Sequence, residues 1–266
     1  METKKIAIIG IGNMGGAIAT GLLKSGFVPA SKISVSDRKE SSTQALKDLG
    51  VNTFTNNIAA AKDADVVIVA VKPYHIEGVL KEIKPLFSPE KILISIVAGV
   101  GIDALSEMAG DDVPIFRVMP NTAIALQESL TCISANGNTE SHREYVIDLF
   151  NKLGKTVEIS EELMAAATVL SSCGIAYALR YIRAAMQGGI EIGFGAEMAQ
   201  FITAQTVKGA TELLLQSGHH PEREIDKVTT PMGVTITGLN EMEHKGFSSS
   251  LIQGLMASYK KMGNLK

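Results

Sequence analysis

The chain has 266 residues, of which 45% are hydrophobic and 20% charged, and its formal net charge at pH 7 is −3. This composition is typical of a globular protein with a real core and argues against a disordered or fibrous chain. A slightly acidic protein also lacks the positive field that binds phosphate backbones, so nucleic acid is not an expected partner.

The two cysteines, Cys132 and Cys173, lie far apart in apolar or small-residue surroundings. They exclude a disulfide framework and offer no cluster of zinc ligands, so we predict no metal site and a cytoplasmic protein with reduced thiols. The longest uncharged stretch includes residues 164–179 and is shorter than the ~20 residues of a membrane span. We therefore predict a buried helix there and no membrane partner.

The first half of the chain alternates short apolar runs with amphipathic segments, a pattern typical of strands and helices that build a parallel sheet. Helices are predicted over residues 12–25 and 42–49. Strands are predicted over 5–9, 32–36, 66–71, 92–97 and 115–119, with 130–133 and 156–159 as additions. Residues 1–160 are therefore interpreted as a Rossmann-type α/β domain.

After residue 160 the β-rich runs end, and residues 161–187, 196–217, 234–245 and 249–262 have helical patterns. Residues 161–266 are therefore predicted to form an all-helical domain. Glycines at 188–189 and 193–195 are predicted to interrupt its first two helices. The first helix is apolar around most of its circumference, so we expect it to be buried in a core or against a second copy of the chain.

A glycine-rich motif, Gly10-Ile11-Gly12-Asn13-Met14-Gly15, lies between the first predicted strand and the first predicted helix. In a dinucleotide-binding turn the first glycine permits the tight bend, the second lets the pyrophosphate approach the backbone, and the third lets helix and strand pack closely. The free N–H groups of the helix start then face the phosphates. This position predicts a site for NAD or NADP rather than a glycine turn without a ligand.

The second predicted strand ends in Ser36-Asp37-Arg38-Lys39, and Asp37 lies 22 residues after Gly15, close to the spacing expected for the ribose contact. Asp37 would hold the ribose hydroxyls of NAD, whereas Arg38, Lys39 and the Ser36 hydroxyl would hold the 2′-phosphate of NADP. The two basic residues are also compatible with a plain solvated surface. The prediction is NAD or NADP, with NADP favoured.

In the second half, residues 229–237 form a loop that leads into a predicted helix, so that free N–H groups lie beside several hydroxyls. Such a place suits a small carboxylate. On local grounds alone an ordinary hydroxyl-capped helix start is the favoured interpretation.

The glycine motif is followed by residues 70–73 (AVKP), 98–100 (AGV) and 119–122 (MPNT), then by 170–177 (LSSCGIAY) and 230–235 (TPMGVT). This ordered set of motifs resembles the pyrroline-5-carboxylate reductase family along essentially the whole chain. The last two resemble the family's Leu-Ser-Gly-Ser-Gly-Pro-Ala-Tyr stretch and its Ser-Pro-Gly-Gly-Thr-Thr loop.

The resemblance implies hydride transfer from NAD(P)H to the C=N carbon of 1-pyrroline-5-carboxylate, which gives L-proline in the last step of proline biosynthesis. It places the hydroxyl that hydrogen-bonds the ring nitrogen at Thr235 and a position near the substrate at Glu161. It implies a homodimer, in some members a pentamer of dimers, and leaves the five histidines as surface residues. The resemblance also implies a substrate loop made of Thr230, Pro231, Gly233, Val234 and Thr235. It implies further coenzyme contacts at Asn57, Ala70, Val71, Lys72, Pro73, Val97, Ala98 and Asn121.

Three residues depart from the family pattern: Ala123, Ile175 and Met232 replace proline, proline and glycine. Met232 alters the substrate loop most, which keeps a reductase of another cyclic imine as an alternative. The nearest rival enzyme class is the β-hydroxyacid dehydrogenases, which use a helix-borne lysine for acid–base catalysis. Residues 163–187 contain no lysine, which argues against that class. A non-catalytic NAD(P)-binding sensor is the remaining alternative, against which stand the retained Pro231, Gly233 and Thr235.

Overall fold

The structure, a computed structural model, describes residues 3–263 and divides into two compact units, one that runs to Cys173 and one that spans Gly174–Lys260. The first unit is built on one sheet of eight strands in the order β3-β2-β1-β4-β5-β6-β7-β8. Its strands are β1 Ile6–Ile9, β2 Ile33–Ser36, β3 Asn52–Phe54, β4 Val66–Val69, β5 Ile92–Ser95, β6 Ile115–Met119, β7 Ser129–Ala135 and β8 Gly154–Glu158.

Every neighbouring strand pair is parallel except β6 and β7, which are antiparallel. The chain leaves β1 for β2 on one side and returns to β4 on the other, so the strand order reverses between β1 and β4. At such a reversal the loops leaving the carboxyl ends of the two strands diverge and open a crevice, where ligands of this fold class bind.

Helices cover both faces of this sheet because successive strand residues point to opposite sides. Ile6 and Ile8 of β1 belong to one buried apolar cluster, whereas Ala7 and Ile9 belong to the other. All four side chains are almost fully buried, as expected for a strand covered on both faces. The helices are α1 Asn13–Ser25, α2 Gln44–Asp48, α3 Asn57–Ala61, α4 Ile76–Ile83, α5 Ile102–Ala109, α6 Arg143–Asn151 and α7 Met164–Ala167.

The second unit is helical throughout its length. It begins directly after a π-helical segment, Thr168–Cys173, that continues α7. Its helices are α8 Gly174–Glu191, α9 Ala196–Ser217, α10 Pro221–Lys227, α11 Val234–His244 and most of α12 Phe247–Gly263.

The Rossmann-type sheet followed by helices confirms the predicted fold class, and the structure corrects several details. The apolar runs in the sequence did not predict β3, because its three residues include only one large apolar side chain. Gly188 and Gly189 do not interrupt α8. Gly189 instead lets α9 approach, because a Cβ atom there would lie 3.1 Å from the Cβ atom of Ala199.

The apolar helix expected to be buried is largely exposed within the single chain, and α8 has no buried residue. By length and composition alone, the helical stretch Glu161–Glu191 is long and apolar enough to cross a membrane. The core helices of soluble proteins pass the same test. Large apolar side chains along α8 and α9, such as Leu179, Ile190 and Phe201, are open to solvent. A surface of this kind normally has a partner.

The junction between β7 and β8 allows a direct test of the sheet. Gly154 has φ +146°, and an added Cβ atom would overlap backbone atoms of Ser129 on the neighbouring strand. We expect Gly154→Ala to lower the free energy of unfolding by about 3 kcal/mol, since both the strain and the overlap must be relieved. Gly137→Ala is the control, because a Cβ atom there meets nothing within 4 Å. Equal urea midpoints for the two variants would contradict the observed strand pairing.

Candidate functional site

The turn from β1 into α1 is closed by two glycines that touch each other. Gly10 has φ +95°, and a Cβ atom there would lie 2.8 Å from the carbonyl oxygen of Ala70. A Cβ atom on Gly15 would overlap the carbonyl oxygen of Gly10. Helix and strand therefore pack backbone to backbone, and no side chain fits between them.

The N-terminus of α1 opens at this turn without a side chain to cap it. Gly12 is the N-cap residue, makes no side-chain hydrogen bond, and the first turn contains no acidic residue. An added Cβ atom on Gly12 would meet nothing within 4 Å, so space is free beside the N–H groups of the helix start. Free amides, a positive helix end and open space together fit the pyrophosphate of a dinucleotide.

Asp37 holds the glycine turn from the neighbouring strand. One carboxylate oxygen accepts a hydrogen bond from the Ile11 N–H group at 2.9 Å, and the other accepts one from the Lys39 N–H group at 3.0 Å. Both oxygens thus have backbone partners, and a ribose hydroxyl would have to share them.

A chain of side-chain hydrogen bonds lines the crevice at the carboxyl ends of the strands, next to Asp37. The buried Ser36 hydroxyl donates to Asn57 Oδ1 at 2.8 Å, and Asn57 Nδ2 donates to Glu82 Oε2 at 2.8 Å. The Ser36 hydroxyl proton is therefore committed within the protein, and Ser36 orients Asn57. Asn57, at the start of α3, faces the same cleft.

The cleft at the carboxyl ends of β1, β2, β4 and β5 has a volume of about 870 Å³. The structure brings most of the predicted coenzyme residues together along its walls, namely Gly10, Gly12, Asn13, Met14, Ser36, Asp37, Arg38, Asn57, Ala70, Val71, Lys72, Pro73 and Ala98. Four others do not line it: Ile11 and Val97 are buried in the two apolar clusters, Gly15 packs against β1, and Asn121 is buried after β6.

Among the side chains of the cleft that the sequence pattern missed are Tyr74, His75 and Glu82. Tyr74 and His75 belong to a one-turn helix, Pro73–His75, that begins in the loop after β4. A proline at the start of a helix that follows a strand was the available signal, because it places the next two residues at the sheet edge. The expectation that His75 is a plain surface residue is thereby corrected.

Glu161, predicted to lie near the substrate, forms its hydrogen bonds with other residues of the first unit. Its Oε1 atom accepts hydrogen bonds from Arg117 Nη1 at 2.6 Å and from the Ile102 N–H group at 3.1 Å. The Arg117 side chain is only 8% exposed. Glu161 thus neutralises a buried cation and caps α5.

Asn121 also has structural partners. Its Oδ1 atom accepts a hydrogen bond from the Ala123 N–H group at 3.0 Å, and its own N–H group donates to Ser129 Oγ at 3.1 Å. The π-helical segment docks beside it, since the Ser172 hydroxyl donates to the Pro120 carbonyl oxygen at 2.7 Å. Helices with an inserted π turn often mark functional positions, and this one overlaps the stretch 170–177 named above.

In the second unit, the loop between α10 and α11 contains the other predicted substrate residues. Gly233 is the N-cap residue of α11, which has no acidic residue in its first turn and no side-chain cap. Gly233 is required there because a Cβ atom would lie 2.5 Å from Thr230 Oγ1. Met232 has φ +58° and its side chain is fully exposed. An open helix start with a strained residue before it fits a small anion.

Thr235 and Thr237 share the first turn of α11 but differ in their surroundings. The Thr237 hydroxyl donates back to the Gly233 carbonyl oxygen at 3.2 Å. Thr235 is exposed beside the open helix start. Val234, Pro231 and Thr230 are exposed as well, so the predicted substrate loop presents its side chains outward.

Two further histidines have partners in the second unit. His219 Nδ1 lies 2.6 Å from Glu224 Oε1, and Lys227 Nζ donates to both Glu224 oxygens at 2.7 and 2.8 Å. These hydrogen bonds, first from Lys227 and then from His219, lower the pKa of the Glu224 carboxyl. His220 accepts a hydrogen bond from the Glu222 N–H group and caps α10. Both histidines therefore order this turn.

The glycine turn yields a prediction with a matched pair of variants. We expect Gly12→Ala to fold normally but to raise the Kd for NADPH at least about tenfold, because a methyl group would fill the space beside the helix-start amides. Gly15→Ala should instead lower the free energy of unfolding by about 3 kcal/mol, because the methyl group overlaps Gly10. Fluorescence titration and urea unfolding measure the two effects. Normal NADPH affinity in Gly12→Ala would exclude this turn as the pyrophosphate site.

The Arg117–Glu161 pair yields a second prediction. Glu161→Gln leaves the guanidinium charged and poorly compensated in the interior, so we expect the free energy of unfolding to fall by about 3 kcal/mol. The neighbouring exposed residue supplies the control, Glu162→Gln, which should change it by less than about 0.5 kcal/mol. If both variants unfold at the same urea concentration, the pair is not what anchors this segment.

Comparisons with known proteins agree with this geometry. Residues 161–265 match the family model described as pyrroline-5-carboxylate reductase dimerisation, and residues 5–99 match the model described as NADP oxidoreductase, coenzyme F420-dependent. The first match lies on the helices from α7 onward, and the second covers the sheet from β1 to β5 with its cleft.

Individual relatives extend over the whole chain. Pyrroline-5-carboxylate reductase 1 of Dictyostelium discoideum is 43% identical, and the match covers 98% of this chain but 49% of that protein, so the chain spans about half its length. Pyrroline-5-carboxylate reductase 2 of the same organism is 42% identical over 98% of this chain and 92% of that protein. The NADP-bound crystal structure of pyrroline carboxylate reductase from Plasmodium falciparum has a TM-score of 0.90 at 30% identity, with 100% and 99% of the two chains covered. The resemblance drawn from the motifs is thus confirmed, and the chain belongs to the pyrroline-5-carboxylate reductase family of NAD(P)-dependent oxidoreductases.

Proposed function

We propose that this protein reduces 1-pyrroline-5-carboxylate to L-proline with NAD(P)H, as the last step of proline biosynthesis. The observation that carries the proposal is the open start of α11, where an uncapped helix N-terminus lies beside the exposed Thr235 hydroxyl. A positive helix end and a neutral hydroxyl are complementary to a substrate with one carboxylate and one ring nitrogen.

The role of the chain is mainly to orient the reactants. When bound, NAD(P)H supplies the hydride that adds to the C=N carbon. The free N–H groups of residues 230–235 bind the substrate carboxylate; Pro231 has none, and that of Gly233 already donates to the Thr230 carbonyl oxygen at 2.9 Å. Thr235 Oγ1 accepts a hydrogen bond from the protonated ring nitrogen and so fixes which carbon faces the hydride donor. A protonated C=N group is already a good hydride acceptor, so orientation and charge complementarity suffice without a strong acid or base.

NADP is the proposed coenzyme, ahead of NAD. Arg38 extends beyond β2 at the rim of the cleft, where a guanidinium suits a 2′-phosphate. Asp37, which would favour the free ribose hydroxyls of NAD, has both oxygens turned to backbone N–H groups. The bound NADP of the Plasmodium relative supports the same choice.

The proposed division of roles between the two parts of the chain follows the domain boundary predicted from the sequence at residue 160. Residues 1–160 bind the coenzyme, and residues 161–266 bind the substrate and form a homodimer, with a pentamer of dimers as the larger assembly. The exposed apolar side chains of α8 and α9 support the dimer, because burial against a second copy would remove them from water. Glu161 serves the substrate indirectly, through the anchoring of α7. The proposed compartment is the cytoplasm.

A second candidate, reduction of another cyclic imine, rests on Met232. Glycine adopts positive φ without cost, whereas methionine at φ +58° is strained by about 1 kcal/mol. Its side chain extends from the loop that would bind the carboxylate, and it would narrow the space for substituents on the ring.

The decisive assay follows oxidation of NADPH and, separately, NADH by the purified protein with 1-pyrroline-5-carboxylate. We expect turnover that Thr235→Ala reduces about tenfold or more in kcat/KM and that Thr235→Ser largely restores, because the hydroxyl is the group required. Thr237→Ala is the matched control on the same helix, since its hydroxyl already binds Gly233.

Equal losses in Thr235→Ala and Thr237→Ala would refute the role of Thr235. No turnover with either coenzyme, although both bind, would refute the proposed substrate. A panel of cyclic imines with larger ring substituents, compared between wild type and Met232→Gly, would then identify the alternative.

A further inference from the structure

We propose that His75 is a coenzyme-binding residue that holds the 2′-phosphate of NADP together with Arg38. This inference rests on the proposed preference for NADP. It names a second residue, besides Arg38, that would produce that preference. The two side chains come from different elements, since Arg38 follows β2 whereas His75 ends the one-turn helix after β4. Both line the same cleft.

The contact between them has an unusual polarity for two basic groups. Arg38 Nη2 lies 3.2 Å from His75 Nε2. A guanidinium has donors only, so the imidazole nitrogen must accept, and the ring proton then lies on Nδ1. Two basic side chains that meet in this way present their hydrogen-bonding edges to one small volume.

An anion placed in that volume has better partners than the two side chains have in each other. Arg38 can turn two N–H groups to phosphate oxygens, and His75 can donate from Nε2 once its proton is there. A sugar phosphate carries nearly two negative charges at neutral pH and three acceptor oxygens, so it satisfies both donors at once. The arginine–histidine contact is thus replaced by two charge-assisted hydrogen bonds.

The imidazole is already oriented for this task. The Tyr74 ring packs against it with the centroids 4.4 Å apart and the planes at 59°, and His75 is half-buried while Tyr74 is 79% exposed. A ring that is fixed before the ligand arrives loses little conformational entropy on binding.

The nearby carboxylates have hydrogen-bond donors of their own within the protein. Asp37 accepts hydrogen bonds from two backbone N–H groups, and Glu82 Oε2 accepts one from Asn57 Nδ2. Lys72 lines the same cleft and adds positive charge. The side of the cleft with Arg38 and His75 is therefore the one suited to a phosphate.

The test compares ligands that differ only in the 2′-phosphate. Fluorescence titration gives the Kd for NADPH and NADH, and calorimetry gives the Kd for 2′,5′-ADP and AMP, each with wild type, His75→Ala, His75→Gln and Arg38→Ala. We expect His75→Ala to raise the Kd for NADPH and 2′,5′-ADP about tenfold while the Kd for NADH and AMP changes less than about twofold. His75→Gln keeps an N–H donor at the reach of Nε2 and should recover much of the loss.

Two comparisons make the result specific. His142→Ala removes a histidine outside the cleft and should leave all four Kd values unchanged. In the double variant with Arg38→Ala and His75→Ala, the losses should be non-additive, because both residues bind one phosphate.

Equal weakening of all four ligands, or none, in His75→Ala would overturn the inference, as would a wild-type protein that binds AMP as tightly as 2′,5′-ADP. None of these outcomes depends on turnover, so they are separate from a failure of the proposed substrate. Conversely, selective loss for the phosphorylated ligands would stand even if 1-pyrroline-5-carboxylate were not reduced.

Discussion

The contact on which the first unit depends is the backbone approach between Gly15 and Gly10. It lets α1 begin directly behind β1, so that the helix start faces the carboxyl edge of the sheet. Gly10 donates to the Ser36 carbonyl oxygen and Ile11 donates to Asp37, and both bonds tie the turn to β2. The cleft therefore opens between β1 and β4, where the strand order reverses. The expectation of a dinucleotide site at this place rests on these three short contacts rather than on the size of the cavity.

A second constraint ties the helical segment after β8 to the sheet. Glu161 meets Arg117 of β6 and the first N–H group of α5, and Ser172 reaches the loop after β6. Burying a guanidinium without a partner costs free energy, so the Arg117–Glu161 pair favours one position of this segment on the sheet. Glu161, which the sequence predicts near the substrate, anchors in the structure the helix that leads to the second unit.

The second unit contrasts with the first because its helices bury little within one chain. The chemistry proposed for this unit depends on one helix end, where Gly233 closes the turn against Thr230 and Met232 takes a conformation that glycine normally occupies. Strain of this kind persists where the surrounding structure requires it, which is common at binding loops. Association and substrate binding are therefore proposed for the same group of helices.

Local patterns in the sequence determined every strand of the sheet except β3, the helical second half, the glycine turn and the loop before α11. Alternation, helical periodicity and glycine chemistry act over a few residues, so a single sequence displays them. Only the tertiary structure decided which side chains share a partner: that Ser36 orients Asn57, that Glu161 is paired with Arg117, and that His75 meets Arg38. These pairs join residues 21 to 44 positions apart, on elements that only strand order brings together. No local pattern records such a meeting, because it is set by how the strands are arranged in the sheet.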